Sequence, residues 1–318
     1  MANHPLGFLI RQLREQKGIT QEDLARGIIA RSNLSRLENG ERAPQKRKIE
    51  ALFQRLGMDA SHFTVLISKE ESETKDLMGR LKDCLSTNKT AEADQIIKEM
   101  EAIDEFISDK FNLQYVLMSK ATNLFNKGGD RNRVKTILDE AIELSIPKFS
   151  EAKIAKYYLS NQESGIINLM AMVYGELGDF DKAINIGFGL KENFDTCCID
   201  QTHKGKHYPS IIYHLTKYMM MDKRFEESLE LCEPGILACL QTGYMFFLPM
   251  LVGHKGICLF ELGRMAESKE LLYDAYHTFK VNRMPDLAET TNKYAKDNLG
   301  IDFNEITQYL RNMEVWEK

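Results

Sequence analysis

The sequence predicts an all-α protein with a small N-terminal domain of short helices and a long C-terminal domain of paired helices. Three observations predict this fold class. Apolar residues recur at three- and four-residue intervals along almost the whole chain. Strand-like alternation is scarce, and the loops are short and marked by glycine, as at Gly178 and Gly263. A pattern of small and aromatic residues also recurs through the C-terminal part.

Composition limits the class of protein. The chain has 318 residues, of which 43% are hydrophobic and 28% charged, as in soluble globular proteins. No window approaches 18 consecutive apolar residues, and charges interrupt the apolar stretch at the N-terminus. We therefore expect no membrane span and no signal peptide, and hence a cytoplasmic protein. The six cysteines lack disulfide-like spacing and are expected to be reduced.

Charge is distributed unevenly along the chain. Residues 1–65 contain 11 Lys or Arg and seven Asp or Glu, whereas the whole chain has a net charge of −5. The first 65 residues are thus positive by four charges, and the other 253 are negative by nine. A basic segment ahead of an acidic one indicates that a polyanion contacts the first segment.

Residues 1–66 are predicted to form short helices joined by tight turns. The first helix ends at Lys17-Gly18, and Thr20 is the N-cap of the second, with an acid three residues later. A turn near Gly27 precedes a third helix, 31–38, and a fourth amphipathic helix ends at Gly57. This arrangement is typical of a helix-turn-helix domain, whose second helix enters the major groove of DNA.

Two segments carry a family resemblance. Residues 18–25 (GITQEDLA) and 34–44 (LSRLENGERAP) resemble the lambda-repressor-type (Xre/Cro) helix-turn-helix. Leu24 and Leu34 are ten residues apart where that family usually has eleven, and Ile28 or Ile29 stands at the usual turn glycine. The tighter turn is similar to that of the PlcR-like branch.

The resemblance implies which side chains contact DNA. Residues at base-contacting positions of the third helix are Arg31, Ser32 and Arg36, with Asn33 beside them. Residues at phosphate-contacting positions are Gln21, Asn39 and Arg42. Arginine can donate two hydrogen bonds to guanine, whereas phosphate contacts fix the register on the duplex. The alternative is that these are ordinary surface residues, with Arg36 paired to an acid.

Residues 67–76 are charged and lack apolar periodicity, which indicates a linker or a solvated first turn, and residues 77–318 form the repeat domain. Small residues that close successive tetratricopeptide-like motifs lie at positions 93, 134, 183, 228 and 268. Their spacings of 41, 49, 45 and 40 exceed the usual value of about 34, so we expect longer helices or loops. The pattern predicts an α-solenoid with a capping helix pair after Leu287. The alternative is an irregular helical bundle.

In such repeats the first helix of each pair lines a concave face. Counting from the small positions gives a polar set of inward-facing residues, which is Lys120, Asn123, Asn126, Lys127, Asn168, Met172, Ser210, Tyr213, His214, Lys217 and His254. Amides, hydroxyls, imidazoles and ammonium groups suit an extended peptide, whose backbone needs hydrogen bonds and whose carboxylate needs a cation. Its apolar side chains could contact Met172, Met220, Met221, Phe246 and Phe247. The alternative is that these residues are simply solvated.

An Xre-type domain followed by degenerate tetratricopeptide repeats resembles the peptide-pheromone receptors of Gram-positive bacteria, the Rap/Rgg/NprR/PlcR/PrgX group. The PlcR-like regulators are the most similar, with local support from residues 213–217 and 222–229. The resemblance implies a homodimer that binds a short signalling peptide in quorum sensing and a near-palindromic operator in double-stranded DNA. Asparagines commonly hold the peptide in this group. Asn168 occupies such a position, but His214 stands where an asparagine is expected.

No catalytic motif or cofactor motif is present in the sequence, so we expect no enzyme activity and no cofactor. Cys197, Cys198, His203 and His207 lie within eleven residues, but adjacent cysteines suit a zinc tetrahedron poorly. Structural thiols and loop histidines are therefore the expectation, with no metal site. A DNA-binding regulator whose repeat domain docks another protein, without any peptide, remains the alternative function.

Overall fold

The computed structural model describes residues 5–41, 45–58, 69–197 and 201–314. Over these ranges the chain forms helices and no strand, which confirms the predicted all-α class. The chain divides into two compact units, residues 1–204 and 205–318. Within the part of the chain described, every helix is too short or too polar to cross a membrane.

The N-terminal domain contains α1 (Pro5–Gln16), α2 (Gln21–Ala25), α3 (Arg31–Glu38) and α4 (Lys46–Arg55). As predicted, Thr20 caps α2: its hydroxyl oxygen accepts a hydrogen bond of 3.0 Å from the amide of Asp23. Leu24, Leu34 and Leu52 are completely buried in the core that these helices share. Phe111 from the repeat domain belongs to the same core, so the two domains are packed together within the first unit.

Gly27, in the turn between α2 and α3, satisfies two constraints at once. Its φ is +71°, a conformation that residues with a Cβ rarely adopt. A Cβ added there would also lie 2.3 Å from the Cβ of Ser145, just beyond the end of a repeat helix. The turn of the helix-turn-helix therefore lies directly against the repeat domain.

The rest of the first unit consists of consecutive helices that pack on one another. They are α5 (Lys69–Ser86), α6 (Thr90–Glu101), α7 (Asp104–Ile107), α8 (Lys110–Asn126), α9 (Arg131–Glu143), α10 (Asn161–Glu176) and α11 (Phe180–Cys197). The pairs are α5 with α6, α8 with α9, and α10 with α11. Because α5 begins at Lys69, residues 69–76 of the predicted linker are helical, and residues 67 and 68 lie outside the described ranges.

The second unit has the same construction. Its helices are α12 (Gln201–Met221, which begins just before the boundary), α13 (Phe225–Thr242), α14 (Leu248–Glu261), α15 (Met265–Val281), α16 (Pro285–Leu299) and α17 (Phe303–Glu314). α13 packs on α14, α14 on α15, and α15 on α16. A core between α15, α16 and the start of α17 includes Tyr276, Ala295 and Phe303.

The small residues that define the repeat occupy equivalent structural positions. Each is the fourth residue of the second helix of its pair, and each is buried, namely Ala93, Val134, Ala183, Ser228 and Ser268. Ala288 holds the same place in α16. Two of the long spacings contain an inserted element: α7 falls within the interval of 41 residues, and a 3-10 helix, Glu151–Lys156, falls within the interval of 49.

Candidate DNA-contacting and ligand-contacting surfaces

The N-terminal half of α3 presents polar side chains to solvent. Arg31, Ser32 and Asn33 are exposed at its start, and Arg36 is exposed one turn later. Leu34 and Leu37, on the opposite side of the helix, are completely buried. The periodicity of α3 therefore fixes one side in the core and leaves the predicted base-contacting residues together on the other.

Arg36 forms an ion pair with an acidic residue, which was the alternative interpretation of its role. Its Nε lies 3.3 Å from Glu41 Oε2, and both side chains are more than half exposed. An ion pair so exposed stabilises a protein by less than about 1 kcal/mol. Arg36 can therefore exchange Glu41 for another hydrogen-bond acceptor at little cost.

A buried carboxylate fixes α3 against α1 and α2. Glu38 accepts hydrogen bonds from Arg14 Nε at 2.7 Å and from Gln21 Nε2 at 2.8 Å. The hydrogen bond to Glu38 raises the pKa of Arg14. Gln21, predicted to contact phosphate, thus uses its amide group inside the domain, while Asn39 is exposed at the end of α3. Arg42 lies outside the described residues.

The predicted inward-facing residues of α8 are occupied by contacts with the preceding helices. Asn123 is 1% exposed, and its Nδ2 donates to the carbonyl of Thr90 and to Asp94. Asn126 donates to the carbonyl of Leu85 at 3.0 Å. The amide groups of these two residues therefore bind acceptors of α5 and α6.

The two predicted inward-facing lysines, one in α8 and one at its C-terminal end, also have acidic partners. Lys120 pairs with Glu101, and Lys127 pairs with Asp94. The hydrogen bond from Lys127 holds the pKa of Asp94 below its ordinary value. On α10, Asn168 and Met172 are half-buried and make contacts of their own.

The second unit brings five of the predicted residues into one cluster of aromatic rings. Tyr213 stacks on His254, with ring centroids 4.9 Å apart and planes at 19°. His214 meets the same tyrosine edge-on, at 4.9 Å. Phe247 lies 5.5 Å from Tyr213, and Phe246 lies 5.0 Å from Phe247. Lys217, one turn after Tyr213 on α12, is half-buried and engaged in contacts.

The two imidazoles of this cluster are neutral at pH 7. Burial, helped by the charge of Lys217, lowers the pKa of His214 and of His254 to about 3. His254 Nδ1 is hydrogen-bonded to the hydroxyl of Thr216 at 2.9 Å. His214 Nδ1 is buried and has no hydrogen-bond partner among the residues described. The cluster thus offers aromatic faces together with polar groups suited to neutral peptide atoms.

Several exposed apolar side chains immediately precede Phe247, a member of this cluster, in the sequence. Leu237, Leu240, Tyr244, Met245 and Phe246 are each at least 40% exposed, and Phe246 is 57% exposed. Met221, named from the sequence as a contact for apolar peptide side chains, is also exposed. Large exposed apolar residues concentrated in one segment commonly mark a surface that binds another molecule.

The cysteine and histidine segment gives no metal site in the part that can be described. Cys197 and the side chain of His207 belong to that part, whereas Cys198 and the side chain of His203 lie outside it. Among the described side chains, no group of three His, Cys, Asp or Glu residues is arranged to hold a metal ion.

The contacts of α4 with the repeat domain were not predicted from the sequence. Its basic residues Arg47, Lys48 and Arg55 were counted as charges facing a polyanion, yet they contact the repeat domain. Arg47 lies over the ring of Phe111 at 5.1 Å, and burial lowers its pKa to about 10. Arg55 forms a completely buried ion pair with Glu163, at 2.5 Å. The Ser160-x-x-Glu163 capping pattern was a visible signal for one partner, but nothing in the sequence linked it to Arg55.

Comparison with known proteins supports the helix-turn-helix type of the N-terminal domain and the fold of the chain. Residues 10–63 match the Helix-turn-helix family model. PlcR of Bacillus thuringiensis, in complex with the peptide PapR7 and DNA, is 20% identical, with a TM-score of 0.59. That match covers 92% of this chain and 99% of PlcR. The apo form of PlcR gives 18% identity and a TM-score of 0.58, covering 90% of this chain and 97% of that one.

Two further results complete the comparison. Rgg2, the SHP pheromone receptor of Streptococcus dysgalactiae, is 15% identical, with a TM-score of 0.46 over 92% of this chain and 98% of Rgg2. The search of curated proteins by sequence found no match. The predicted helix-turn-helix and the predicted PlcR-like fold are confirmed.

Proposed function

We propose that this protein is a DNA-binding transcription regulator whose repeat domain binds a short signalling peptide, and that peptide binding changes its affinity for DNA. The observation that carries the proposal is the exposed polar side of α3 within a chain that has the fold of PlcR over nearly its whole length. PlcR is described in complex with both a peptide and DNA. The chain acts in the cytoplasm as a homodimer.

In DNA binding, one group of residues contacts the bases and another group contacts the phosphates. Arg31, Ser32, Asn33 and Arg36 enter the major groove and contact base edges, since they are exposed on the outer side of α3. Asn39 contacts phosphate and fixes the register. Gln21 and Arg42 complete the phosphate contacts, with Gln21 exchanging Glu38 for the duplex. Two copies bind a near-palindromic operator, because the symmetry of a dimer requires matching half-sites.

The peptide-binding step uses the first helices of the repeats. In the first unit, Asn168 and Met172 on α10 provide contacts, as do Lys120, Asn126 and Lys127 at α8. In the second unit, Ser210, Tyr213, His214, Lys217 and His254 provide aromatic faces, neutral imidazoles and one cation. A peptide regulates DNA binding only if the two conformations of the protein differ in their affinity for it.

Native mass spectrometry of the protein isolated from its own host tests the proposal. We expect a dimer with additional mass in the range of a short peptide, which is lost on denaturation and can then be sequenced. The isolated peptide should bind Asn168→Ala at least tenfold more weakly than it binds the native chain. Glu140→Ala, on the exposed surface of α9, is the matched control and should bind normally. A dimer without added mass, from cells grown at high density, contradicts the proposal.

A second candidate function follows from the exposed apolar residues between positions 237 and 246. In that case the repeat domain docks another protein, and no peptide is involved. The same mass spectrum separates the two functions, because a protein partner adds mass in the kilodalton range and persists at low collision energy. Phe246→Ser should then abolish the complex with the protein partner.

A further inference from the structure

Two basic residues on one side of α4 contact the beginnings of two repeat helices. Lys48 and Arg55 are seven residues apart and therefore lie on the same side of the helix, two turns from each other. Lys48 pairs with Asp109, the N-cap of α8. Arg55 pairs with Glu163 in the first turn of α10 and also donates to the carbonyl of Leu24 in α2.

Both acidic partners are the capping residues of their own helices. Asp109 accepts hydrogen bonds from the amides of Phe111 and Asn112 at the start of α8. Glu163 accepts from the amide of Ser160, at 2.8 Å, in the capping box of α10. The same carboxylates thus begin α8 and α10 and hold α4. A shift at the start of α8 or α10 therefore displaces a carboxylate with which α4 is paired.

Buried polar side chains join these helix ends into one network. Ser145, after the end of α9, is hydrogen-bonded to Glu163 and accepts from Gln114 of α8 at 2.7 Å. Gln114 in turn accepts from Gln162 of α10, at 2.7 Å. Burial by itself would raise the pKa of Glu163, but the charge of Arg55 together with the hydrogen bonds from Arg55, Ser145 and Ser160 outweighs it, and the pKa is lowered. Glu163 therefore remains ionised, and the network has one arrangement of donors and acceptors.

We propose that α4 couples the N-terminal domain to the repeat domain, through the pairs Lys48–Asp109 and Arg55–Glu163, so that displacement of α8 and α10 reorients α3. This inference rests on the proposed function, since it names the route by which a bound peptide changes DNA binding. Of the residues proposed to bind the peptide, Lys120, Asn168 and Met172 lie farther along the same two helices. At about 1.5 Å per residue, Lys120 is roughly 15 Å from the start of α8, and Asn168 is roughly 10 Å from the start of α10.

Coupling between two sites is reciprocal, so it can be tested with DNA alone. The probe is a duplex of about 25 base pairs, selected from random sequences by the full-length native chain. Amide hydrogen exchange, followed by mass spectrometry, is compared with and without this duplex. In the native chain we expect the duplex to change exchange at least threefold in the first turns of α8 and α10, although neither helix contacts the DNA.

The decisive variants remove charge and keep the helix caps. Lys48→Met with Asp109→Asn eliminates one ion pair at a partly exposed site, and asparagine still caps α8. Arg55→Gln with Glu163→Gln eliminates the buried pair, and glutamine still completes the capping box. Lys135→Met with Asp139→Asn makes the same charge change within α9 and serves as the control.

The expected result is that each variant pair still binds the selected duplex, while the exchange response in α8 and α10 falls to less than half of the native response. The control should respond as the native chain does. A native-sized response in both variant pairs, or no response in the native chain, overturns the coupling through α4. Neither result depends on a peptide, so failure of this inference is distinguishable from failure of the proposed function.

Discussion

Two neighbouring helices of the N-terminal domain both carry basic side chains, but the surroundings of these side chains are opposite. On α3, Arg31 and Arg36 are exposed to solvent. On α4, Arg55 is completely buried, and Arg47 and Lys48 contact the repeat domain. The positive charge of residues 1–65 is therefore only partly at the surface, since the arginines of α3 are exposed while basic residues of α4 are paired with the repeat domain. A count of charges along a segment overestimates the charge available at its surface when the segment packs against another domain.

The buried pair on α4 has an energetic consequence that the exposed pair on α3 lacks. Removing Arg55 and Glu163 from water carries a large desolvation cost, which their attraction and several hydrogen bonds offset. Losing one partner would leave the other charge buried and unpaired. Arg36 and Glu41 remain hydrated, so losing either partner changes little.

The largest expected effect is on the stability of the first unit. Arg55→Ala should lower its free energy of unfolding by about 3–5 kcal/mol, because Glu163 is left as an uncompensated buried charge. Urea denaturation, monitored by circular dichroism, measures this change. Arg55→Met combined with Glu163→Met should recover much of the loss. A cost of less than about 1 kcal/mol for the single variant would contradict the burial of this pair.

The second expected effect is a dependence of stability on acid. The pKa of Glu163 in the folded chain is lowered from 4.5, so the unfolded chain binds a proton at a higher pH than the folded chain does. This contribution to stability is present above pH 4.5 and is lost as the pH falls further. Glu163→Gln should therefore flatten the decline of the unfolding free energy below pH 4.5. An equally steep decline in that variant would assign the acid sensitivity to other carboxylates.

The third expected effect concerns DNA, and it distinguishes α3 from α4. Arg31→Ala should weaken binding to a selected duplex by about 1–3 kcal/mol and relax the preference for one base pair. Its unfolding free energy should remain within about 0.5 kcal/mol of the native value, since the side chain is exposed. Fluorescence anisotropy at fixed salt, with native and scrambled duplexes, measures the first quantity. Unchanged discrimination between the two duplexes would exclude Arg31 from base recognition.

The smallest expected effects are on stability, and they compare an ion pair of α4 with an ion pair of α3. Lys48→Ala should cost about 1 kcal/mol or less of stability, because its pair with Asp109 is only partly shielded from water. Arg36→Ala should cost less than about 0.5 kcal/mol. Differential scanning calorimetry of the two variants side by side tests this order. If Arg36→Ala were the more destabilising of the two, the environments assigned to the helices would be reversed.

The candidate DNA-contacting residues were largely predictable from sequence, whereas the contacts of the repeat domain were not. Leu34 and Leu37 fix the buried side of α3, which places Arg31 and Arg36 outside by helical periodicity alone. Asn123 also satisfied the counting rule for an inward-facing residue. Its amide nevertheless donates to Thr90 and Asp94, because a buried polar side chain at a helix contact binds the acceptors that tertiary packing places beside it.

The sequence by itself determined the elements whose causes lie within a few residues. The cap of α2 at Thr20, the buried small residues of the repeats and the capping box that begins at Ser160 are all of this kind. Only the tertiary structure decided that α4 holds the two domains together. Lys48 and Asp109 are 61 residues apart, and Arg55 and Glu163 are 108 apart. Such pairs form only after the helices have packed, because no local periodicity or spacing specifies which charges become neighbours.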